Sequence, residues 1–305
     1  MSPRDIRKIL VMRGGGIGDF ILTLPAIEFL RGAFPDSHLE ILGYRRVLGL
    51  VDGRPYADAV RSIDWAPLAA LFNPRAEPDP ALSGYLRDFD LILSYLYDPD
   101  GLLRTSLEQI GIGRLLQAAP HPTGAEHAAN FFAAPLIEWG VEVRECRPRV
   151  LLPPDIARPL PGPGRWVAMH PGSGGLKKNW PPGHWNKLIH RTLEEGCRVM
   201  VCGGEADADQ MAFLRAQLPD TVFFLEHEPL DVLGASLAQC GLFIGHDTGI
   251  SHLAAAVGIP TIALFGPTNP DVWAPVGSRV VLAPEGRLSD LEPSRVWDMM
   301  REMLP

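Results

Sequence analysis

Residues 242–264 read LFIGHDTGISHLAAAVGIPTIAL. Two short apolar runs, Leu242–Gly245 and Thr261–Leu264, have the composition of buried strands, and the Ala-rich segment Ser251–Val257 between them has that of a helix. A helix that connects two neighbouring strands of one sheet makes those strands parallel. The stretch therefore predicts an α/β fold in which helices pack on a parallel sheet.

The same alternation continues in both directions along the chain. The other predicted strands are Lys8–Met12, Leu39–Leu42, Asp90–Tyr95, Trp166–His170, Arg198–Cys202 and Val222–Phe224. The other predicted helices are a segment with Phe20, Leu24, Ile27 and Leu30 on one side, then Glu126–Trp139, Pro182–Glu195, Asp207–Gln217 and Leu230–Ala238. Apolar residues at helical spacing also predict a docking helix over Pro293–Leu304.

Six prolines interrupt the series between Pro148 and Pro163. A segment so rich in proline is typical of an extended linker between domains. The sequence therefore predicts two doubly wound α/β domains, residues 1–150 and 151–305, that face each other across a cleft.

The charge balance argues against a nucleic-acid partner. The chain has 28 basic and 36 acidic residues, a net charge of −8, whereas a protein that binds the phosphate backbone presents a basic face. Four of the basic residues are lysines, and two of these, Lys177 and Lys178, are adjacent.

The apolar segments are too short for secretion or membrane insertion. Ile9–Met12 is shorter than the core of a signal peptide, and Leu253–Phe265 is broken by glycine and proline and falls short of the roughly 20 residues of a membrane span. The four cysteines form no Cys-x-x-Cys pair, so we expect buried free thiols and no metal site. We expect a cytoplasmic protein with at most peripheral contact to a membrane.

A glycine-rich loop, GGGIGD at residues 14–19, joins the first strand to the first helix. It departs from the dinucleotide-binding pattern because Asp19 occupies the third glycine position, where a carboxylate would repel a pyrophosphate. Asp19 either caps the helix or acts as a general base that accepts a proton from a hydroxyl. Arg13, just before the glycines, is either an anion contact or an ordinary cation at a strand end.

Three further loops follow predicted strands of the second half and should share one edge of its sheet. The loop 170–181, HPGSGGLKKNWP, combines small residues, whose N–H groups approach an anion closely, with half of the lysines of the chain. The loop 203–205 ends in Glu205, which would bind two ribose hydroxyls or simply begin the next helix.

The third loop, GHDTGISH at residues 245–252, precedes the Ala-rich helix. Its Asp, Thr and Ser residues are ordinary helix caps. Together with the N–H groups and the positive dipole end of the helix, they also suit a diphosphate.

Taken in order, these segments resemble glycosyltransferase family 9, whose best-known members are ADP-heptose:lipopolysaccharide heptosyltransferases. The resemblance rests on HPGS (170–173), KNWP (178–181), DTGISHLAAA (247–256) and LFGPTNP (264–270). Gly18 and Asp19, with TLPA (23–26) beyond them, are similar to the N-terminal signature of the family.

The resemblance implies a GT-B fold of two Rossmann-like domains, with the acceptor mainly on the first and the nucleotide-sugar donor on the second. It implies an inverting, metal-independent transfer of a sugar, with ADP-heptose as donor substrate and no cofactor. The implied acceptor is a lipid-linked or core oligosaccharide like the lipopolysaccharide core, reached at the inner face of the cytoplasmic membrane.

The resemblance also assigns roles to individual residues. Asp19 corresponds to the general base, and Lys178 would stabilise the leaving diphosphate. The residues implied to bind the donor are Gly172, Ser173, Lys178, Glu205, Asp247, Thr248, Gly249 and His252. The Lys-x-Trp-Pro register selects Lys178 and leaves Lys177 as an open alternative for the phosphate contact.

Two other functions are compatible with these residues. A nucleotide-sugar epimerase on the same fold would convert the donor without an acceptor. A non-catalytic nucleotide-sugar-binding protein would bind the donor without turnover.

Overall fold

The computed structural model describes residues 6–77, 79–175 and 178–304. The chain divides into two compact units, Met1–Arg147 and Pro148–Pro305. Each unit contains one parallel sheet, so the predicted α/β class is confirmed.

The first unit is built on a five-stranded sheet in the order β3-β2-β1-β4-β5. Its strands are β1 (Lys8–Arg13), β2 (His38–Gly43), β3 (Ala59–Ser62), β4 (Leu91–Ser94) and β5 (Leu115–Gln117). Its helices are α1 (Ile17–Ala33), α2 (Arg45–Leu48), α3 (Pro80–Arg87), α4 (Leu102–Ile110) and α5 (Ala128–Glu138). The strand order reverses between β1 and β4, which places the loop after β1 at the topological switch point.

The second unit is built on a six-stranded sheet in the order β11-β10-β9-β6-β7-β8. Its strands are β6 (Trp166–His170), β7 (Arg198–Gly203), β8 (Phe223–Glu226), β9 (Leu242–His246), β10 (Thr261–Phe265) and β11 (Arg279–Leu282). Its helices are α6 (Pro182–Glu194), α7 (Ala208–Gln217), α8 (Leu230–Leu237), α9 (Gly249–Ala256), α10 (Pro270–Trp273) and α11 (Pro293–Met303). Here the strand order reverses between β6 and β9.

The central strands were predictable because helices cover both faces of each sheet. Every residue of β6, β9 and β10 is buried, as expected for a parallel sheet whose strands are continuous apolar runs. The strands β3, β5 and β11 were missed because they lie at sheet edges, where their partly exposed residues give no apolar run.

The predicted C-terminal docking helix is confirmed as α11. It packs on the core of the second unit through Val296, Trp297 and Met300, which are fully buried. Residues Met299 and Met303 are partly buried against the same core.

The four cysteines are free and buried, as predicted. Burial raises the pKa of Cys146 to about 11 and that of Cys240 to about 12, so neither thiol ionises appreciably near neutral pH. Across the described residues, no helix combines the length and apolarity needed to cross a membrane.

Candidate active site

The loops singled out in the second half begin at one edge of its sheet. Strand β6 lies between β7 and β9, and β9 lies beside β10, all of them parallel. Their carboxyl ends therefore lie side by side, as predicted, and this is where ligands bind in open α/β sheets.

An ion pair joins two of these loops. The Lys178 ammonium lies 2.7 Å from Asp247 Oδ2, and the side chain of Asp247 is about nine-tenths buried. The same carboxylate oxygen accepts a hydrogen bond of 2.7 Å from Thr268 Oγ1, in the loop after β10. Asp247 thus connects the loops after β6, β9 and β10 and does not act as an ordinary helix cap.

The last residue of β9, His246, holds the loop after β6 in place. Its Nε2 accepts a hydrogen bond of 2.8 Å from the Trp180 N–H, so the ring proton is on Nδ1, which donates to the Gly172 carbonyl at 3.0 Å. Burial lowers the pKa of His246 to about 4. This neutral, fully buried imidazole fixes both ends of the segment that carries Ser173 and Lys178.

Gly172 is a glycine because Asp207 occupies the space beside it. A Cβ at Gly172 would lie 1.6 Å from Asp207 Oδ1, a distance that no side chain tolerates. Asp207 also accepts hydrogen bonds of 2.8 Å from the Gly204 N–H and 3.3 Å from His170 Nε2. Burial alone would raise the pKa of Asp207, but its hydrogen bonds to His170 and Gly204 hold it below the ordinary value.

The other residues of the first two loops differ in their surroundings. Ser173 is buried, and its hydroxyl donates to the Gly175 carbonyl at 2.9 Å. Glu205 is exposed and begins a short 3₁₀ helix, Glu205–Asp207, so α7 begins after the predicted residue. Lys177 lies outside the described residues.

The third loop leads into α9, which begins two residues earlier than predicted. Thr248 is the N-cap residue, but its side chain makes no capping hydrogen bond. Its hydroxyl is buried and has no hydrogen-bond partner among the described residues, and such a group ordinarily has one. With Gly249 at the first helical position and His252 buried in the first turn, the loop exposes the start of a helix to an incoming anion.

In the first unit, Asp19 lies at the third position of α1. Its Oδ2 accepts a hydrogen bond of 2.8 Å from the Gly16 N–H, which completes a capping arrangement at the helix start. The capping role predicted for Asp19 is therefore confirmed for one oxygen. The other oxygen, Oδ1, lies 3.6 Å from Arg13 Nη2 and 3.8 Å from His121 Nδ1.

Arg13 is a cation at the end of β1, as one of the two predictions had it, and its side chain is fully buried. Its guanidinium donates to Thr23 Oγ1 at 2.9 Å, to the Pro120 carbonyl at 3.2 Å and to the Asp19 carbonyl at 3.3 Å. It also lies 4.5 Å from the centroid of the Phe132 ring. Arg13 therefore fixes the backbone around Asp19.

Comparison with known proteins agrees with this geometry. Residues 156–291 match glycosyltransferase family 9 (heptosyltransferase). The chain is 29% identical to lipopolysaccharide heptosyltransferase 1 of Pseudomonas aeruginosa strain PAO1, over 86% of this chain and 79% of that protein. This chain is a glycosyltransferase that resembles the heptosyltransferases of family 9.

Solved structures show the same architecture as this glycosyltransferase. A glycosyl transferase of family 9 from Veillonella parvula superposes with a TM-score of 0.82 at 18% identity, over 99% of this chain and 98% of that one. The ADP-heptose lipopolysaccharide heptosyltransferase II of Escherichia coli superposes with a TM-score of 0.80 at 19% identity, over 97% of this chain and 98% of that one. The expected GT-B fold of two Rossmann-like domains is confirmed.

Three residues of this glycosyltransferase contribute to the site although no role was predicted for them. Asp207 follows Gly204 by three residues, the same spacing that separates Asp19 from Gly16, and this spacing was an available signal for a capping carboxylate. Thr268 lies in the loop after β10, as Asp247 lies in the loop after β9. Because ligands bind beyond the carboxyl ends of the strands in open α/β sheets, its position was also an available signal. His246 ends an otherwise apolar strand, where a polar residue needs a partner.

Proposed function

We propose that this enzyme transfers a heptosyl group from ADP-heptose to a lipopolysaccharide-core acceptor, with inversion at the anomeric carbon and without a metal ion. The observation that carries the proposal is the Lys178–Asp247 ion pair, which positions one ammonium group beside the start of α9 at the topological switch point. Two of the proteins named above, from Pseudomonas aeruginosa and Escherichia coli, are heptosyltransferases, which supports heptose as the transferred sugar.

The second unit supplies the donor site in this proposal. Lys178 contacts the diphosphate as a point charge, and the N–H groups at the start of α9, from Gly249 onward, contribute a positive helix end. The unpartnered hydroxyl of Thr248 donates to a phosphate oxygen. Asp247 holds the ammonium group of Lys178 in position, and His252 lies in the first turn of the same helix.

The remaining donor contacts come from the other two loops. Gly172 and Ser173 offer the backbone of the loop after β6 to the phosphates. Glu205 has the exposure that a ribose-binding carboxylate needs, and its two oxygens accept hydrogen bonds from the two ribose hydroxyls.

The first unit supplies the base. As the acceptor oxygen attacks the anomeric carbon, its proton passes to Asp19 Oδ1, the oxygen that does not cap α1. The bond between the anomeric carbon and the diphosphate oxygen breaks, and ADP leaves with the bonding electrons. Attack on the face opposite the leaving group inverts the configuration of that carbon.

Charge stabilisation on the departing ADP comes from the protein. One lysine and a helix N-terminus, equivalent to roughly half an elementary charge, oppose the charge that develops on the diphosphate. Groups held in place before the reaction stabilise the transition state without reorganisation. We therefore infer that transfer needs no added metal ion.

These roles imply an acceptor-side domain, residues 1–150, and a donor-binding domain, residues 151–305. A lipid-linked acceptor also implies that the enzyme acts in the cytoplasm, with at most peripheral contact at the inner face of the cytoplasmic membrane. The epimerase and the non-catalytic binder are not favoured, because the curated relatives are transferases.

The test is transfer from ADP-heptose to a heptose-free lipopolysaccharide core, followed by release of ADP. Replacement of Asp19 by Asn should abolish transfer and leave the affinity for ADP, measured by calorimetry, within about twofold because the donor site lies on other residues. Asp36→Asn, at an exposed position beyond α1, serves as the matched control.

Two further readouts cover the remaining parts of the proposal. Nuclear magnetic resonance of the product should show the anomer opposite to that of the donor, and saturating chelator should leave the rate unchanged. Undiminished transfer by the Asp19→Asn enzyme would exclude Asp19 as the base, and loss of transfer with chelator would exclude the metal-independent mechanism.

A further inference from the structure

The segment after β5 brings a histidine to the candidate base. His121 Nδ1 lies 3.8 Å from Asp19 Oδ1, and the His121 side chain is 62% exposed whereas that of Asp19 is 16% exposed. The imidazole is therefore the more exposed to solvent of the two groups.

The backbone holds His121 at this place. It lies between Pro120 and Pro122, and a proline restricts both its own φ and the conformation of the residue before it. Buried Arg13 donates to the Pro120 carbonyl at 3.2 Å and to the Asp19 carbonyl at 3.3 Å. One guanidinium thus fixes His121 and Asp19 relative to each other.

The two oxygens of Asp19 have different surroundings. Oδ2 accepts the Gly16 N–H at 2.8 Å, whereas Oδ1 faces two charged or titratable groups, Arg13 from β1 and His121 from the segment after β5. The oxygen that is not engaged in capping is therefore the one beside the imidazole. A separation of 3.8 Å closes to a hydrogen bond by a small rotation of the exposed ring, or is bridged by one water.

We propose that His121 is a proton-relay residue that acts through Asp19. This role rests on the proposed function, in which Asp19 Oδ1 takes the proton of the acceptor hydroxyl. The proton then moves from Asp19 Oδ1 to His121 Nδ1, and the opposite ring nitrogen, Nε2, releases a proton to solvent. The ring returns to its starting tautomer by exchange with water, and Asp19 is again a carboxylate for the next turnover.

An imidazole suits this role because it exchanges protons near neutral pH. Without it, a protonated Asp19 would transfer its proton to solvent from a position that is largely enclosed by α1 and Arg13. Proton release then limits turnover, whereas donor binding on the second unit is unaffected.

The test compares His121→Ala with His38→Ala in the full chain. His38 is exposed at the amino end of β2, the end of the sheet opposite to Asp19. We expect His121→Ala to lower kcat about 100-fold, the lower end of the roughly 10²- to 10⁴-fold contribution of a positioned acid–base group, with the KM for ADP-heptose and the affinity for ADP unchanged. Added free imidazole should restore at least part of the lost kcat, and His38→Ala should behave like the unsubstituted enzyme with or without imidazole.

Each contrary result has a distinct meaning. Full kcat in His121→Ala, or a loss that imidazole does not restore, would overturn the relay while leaving the transfer reaction intact. A raised KM for ADP-heptose would assign His121 to donor binding and would equally overturn the relay. If the unsubstituted enzyme transfers no heptose from ADP-heptose, the proposed function fails and this role fails with it.

Discussion

Lys178 Nζ lies 2.7 Å from Asp247 Oδ2, although the two residues are 69 positions apart in the chain. The lysine comes from the loop after β6, and the aspartate lies between β9 and α9. Because the ammonium group is held by a partner that is itself hydrogen-bonded, its position beside the helix start is set before a diphosphate arrives. Charge held in this way is effective because little reorganisation is needed.

Removal of the lysine charge should therefore weaken nucleotide binding. A hydrogen bond to a charged group contributes about 1.5–3 kcal/mol, so Lys178→Gln should raise the Kd for ADP about 10- to 100-fold in calorimetry. Lys187→Gln, at an exposed position on α6, is the control and should bind ADP normally. Equal affinities in the two variants would remove Lys178 from the donor site.

Thr268 should act on the same site through Asp247. Thr268→Val keeps the shape of the side chain but removes the hydrogen bond to Asp247 Oδ2. The loss of a neutral hydrogen bond costs about 0.5–1.5 kcal/mol, so the Kd for ADP should rise about 2- to 10-fold. Thr221→Val, at an exposed turn before β8, is the matched control. An unchanged Kd would show that Asp247 is positioned without Thr268.

Most of the fold was predictable because the central strands are buried on both faces. A strand such as β9 gives a continuous apolar run in the sequence. The loop after it is then expected at the carboxyl edge of the parallel sheet, where ligands bind. Edge strands such as β3 and β11 lack this signal. The loops that carry the candidate site residues of the second unit therefore begin at one edge of its sheet, as the sequence predicted.

The contacts within the site were not predictable, because they depend on which loops meet in space. The sequence left Asp247 either as a helix cap or as part of the donor site, and neither role predicts that its carboxylate pairs with Lys178 and Thr268. Gly172 was predicted to bring backbone close to an anion, but the structure also requires a glycine there to leave room for Asp207. Gly172 and Asp207 are 35 positions apart in the chain, too far for a local sequence pattern to show that they meet.

The contact between Gly172 and Asp207 gives a prediction about stability. A Cβ at Gly172 would overlap the Asp207 carboxylate at 1.6 Å, so Gly172→Ala must displace that side chain and break its hydrogen bonds. Overpacking of this kind costs about 1–3 kcal/mol in the free energy of unfolding. Urea denaturation should show this loss.

A control and a second variant make the cause clear. Gly174→Ala, in the same loop, introduces a Cβ with nothing within 4 Å and should leave the free energy of unfolding unchanged. In the double variant Gly172→Ala with Asp207→Ala, the free energy of unfolding should fall by less than the sum of the losses in the two single variants, because the overlap disappears. Strict additivity would show that the two side chains do not compete for this space.

The last prediction concerns His246, whose pKa burial lowers to about 4 in the folded protein. In the unfolded chain the imidazole titrates near its ordinary value of about 6.5. Between these two pH values the unfolded state binds more protons than the folded state, so the free energy of unfolding decreases as the pH falls. The carboxylate of Asp207, whose pKa is lowered from 3.8, titrates below this window.

The free energy of unfolding should therefore decrease by up to about 3 kcal/mol between pH 7 and pH 4, which corresponds to a shift of about 2.5 pKa units at 1.36 kcal/mol each. Urea denaturation followed by tryptophan fluorescence measures it, since Trp180 and Trp185 are buried close to His246. His246→Gln should be less stable at pH 7 but should depend less steeply on pH, because glutamine has no proton to gain. His190→Gln, at an exposed position on α6, should keep the steep dependence. Equal slopes for His246→Gln and the unsubstituted protein would show that another group causes the loss of stability in acid.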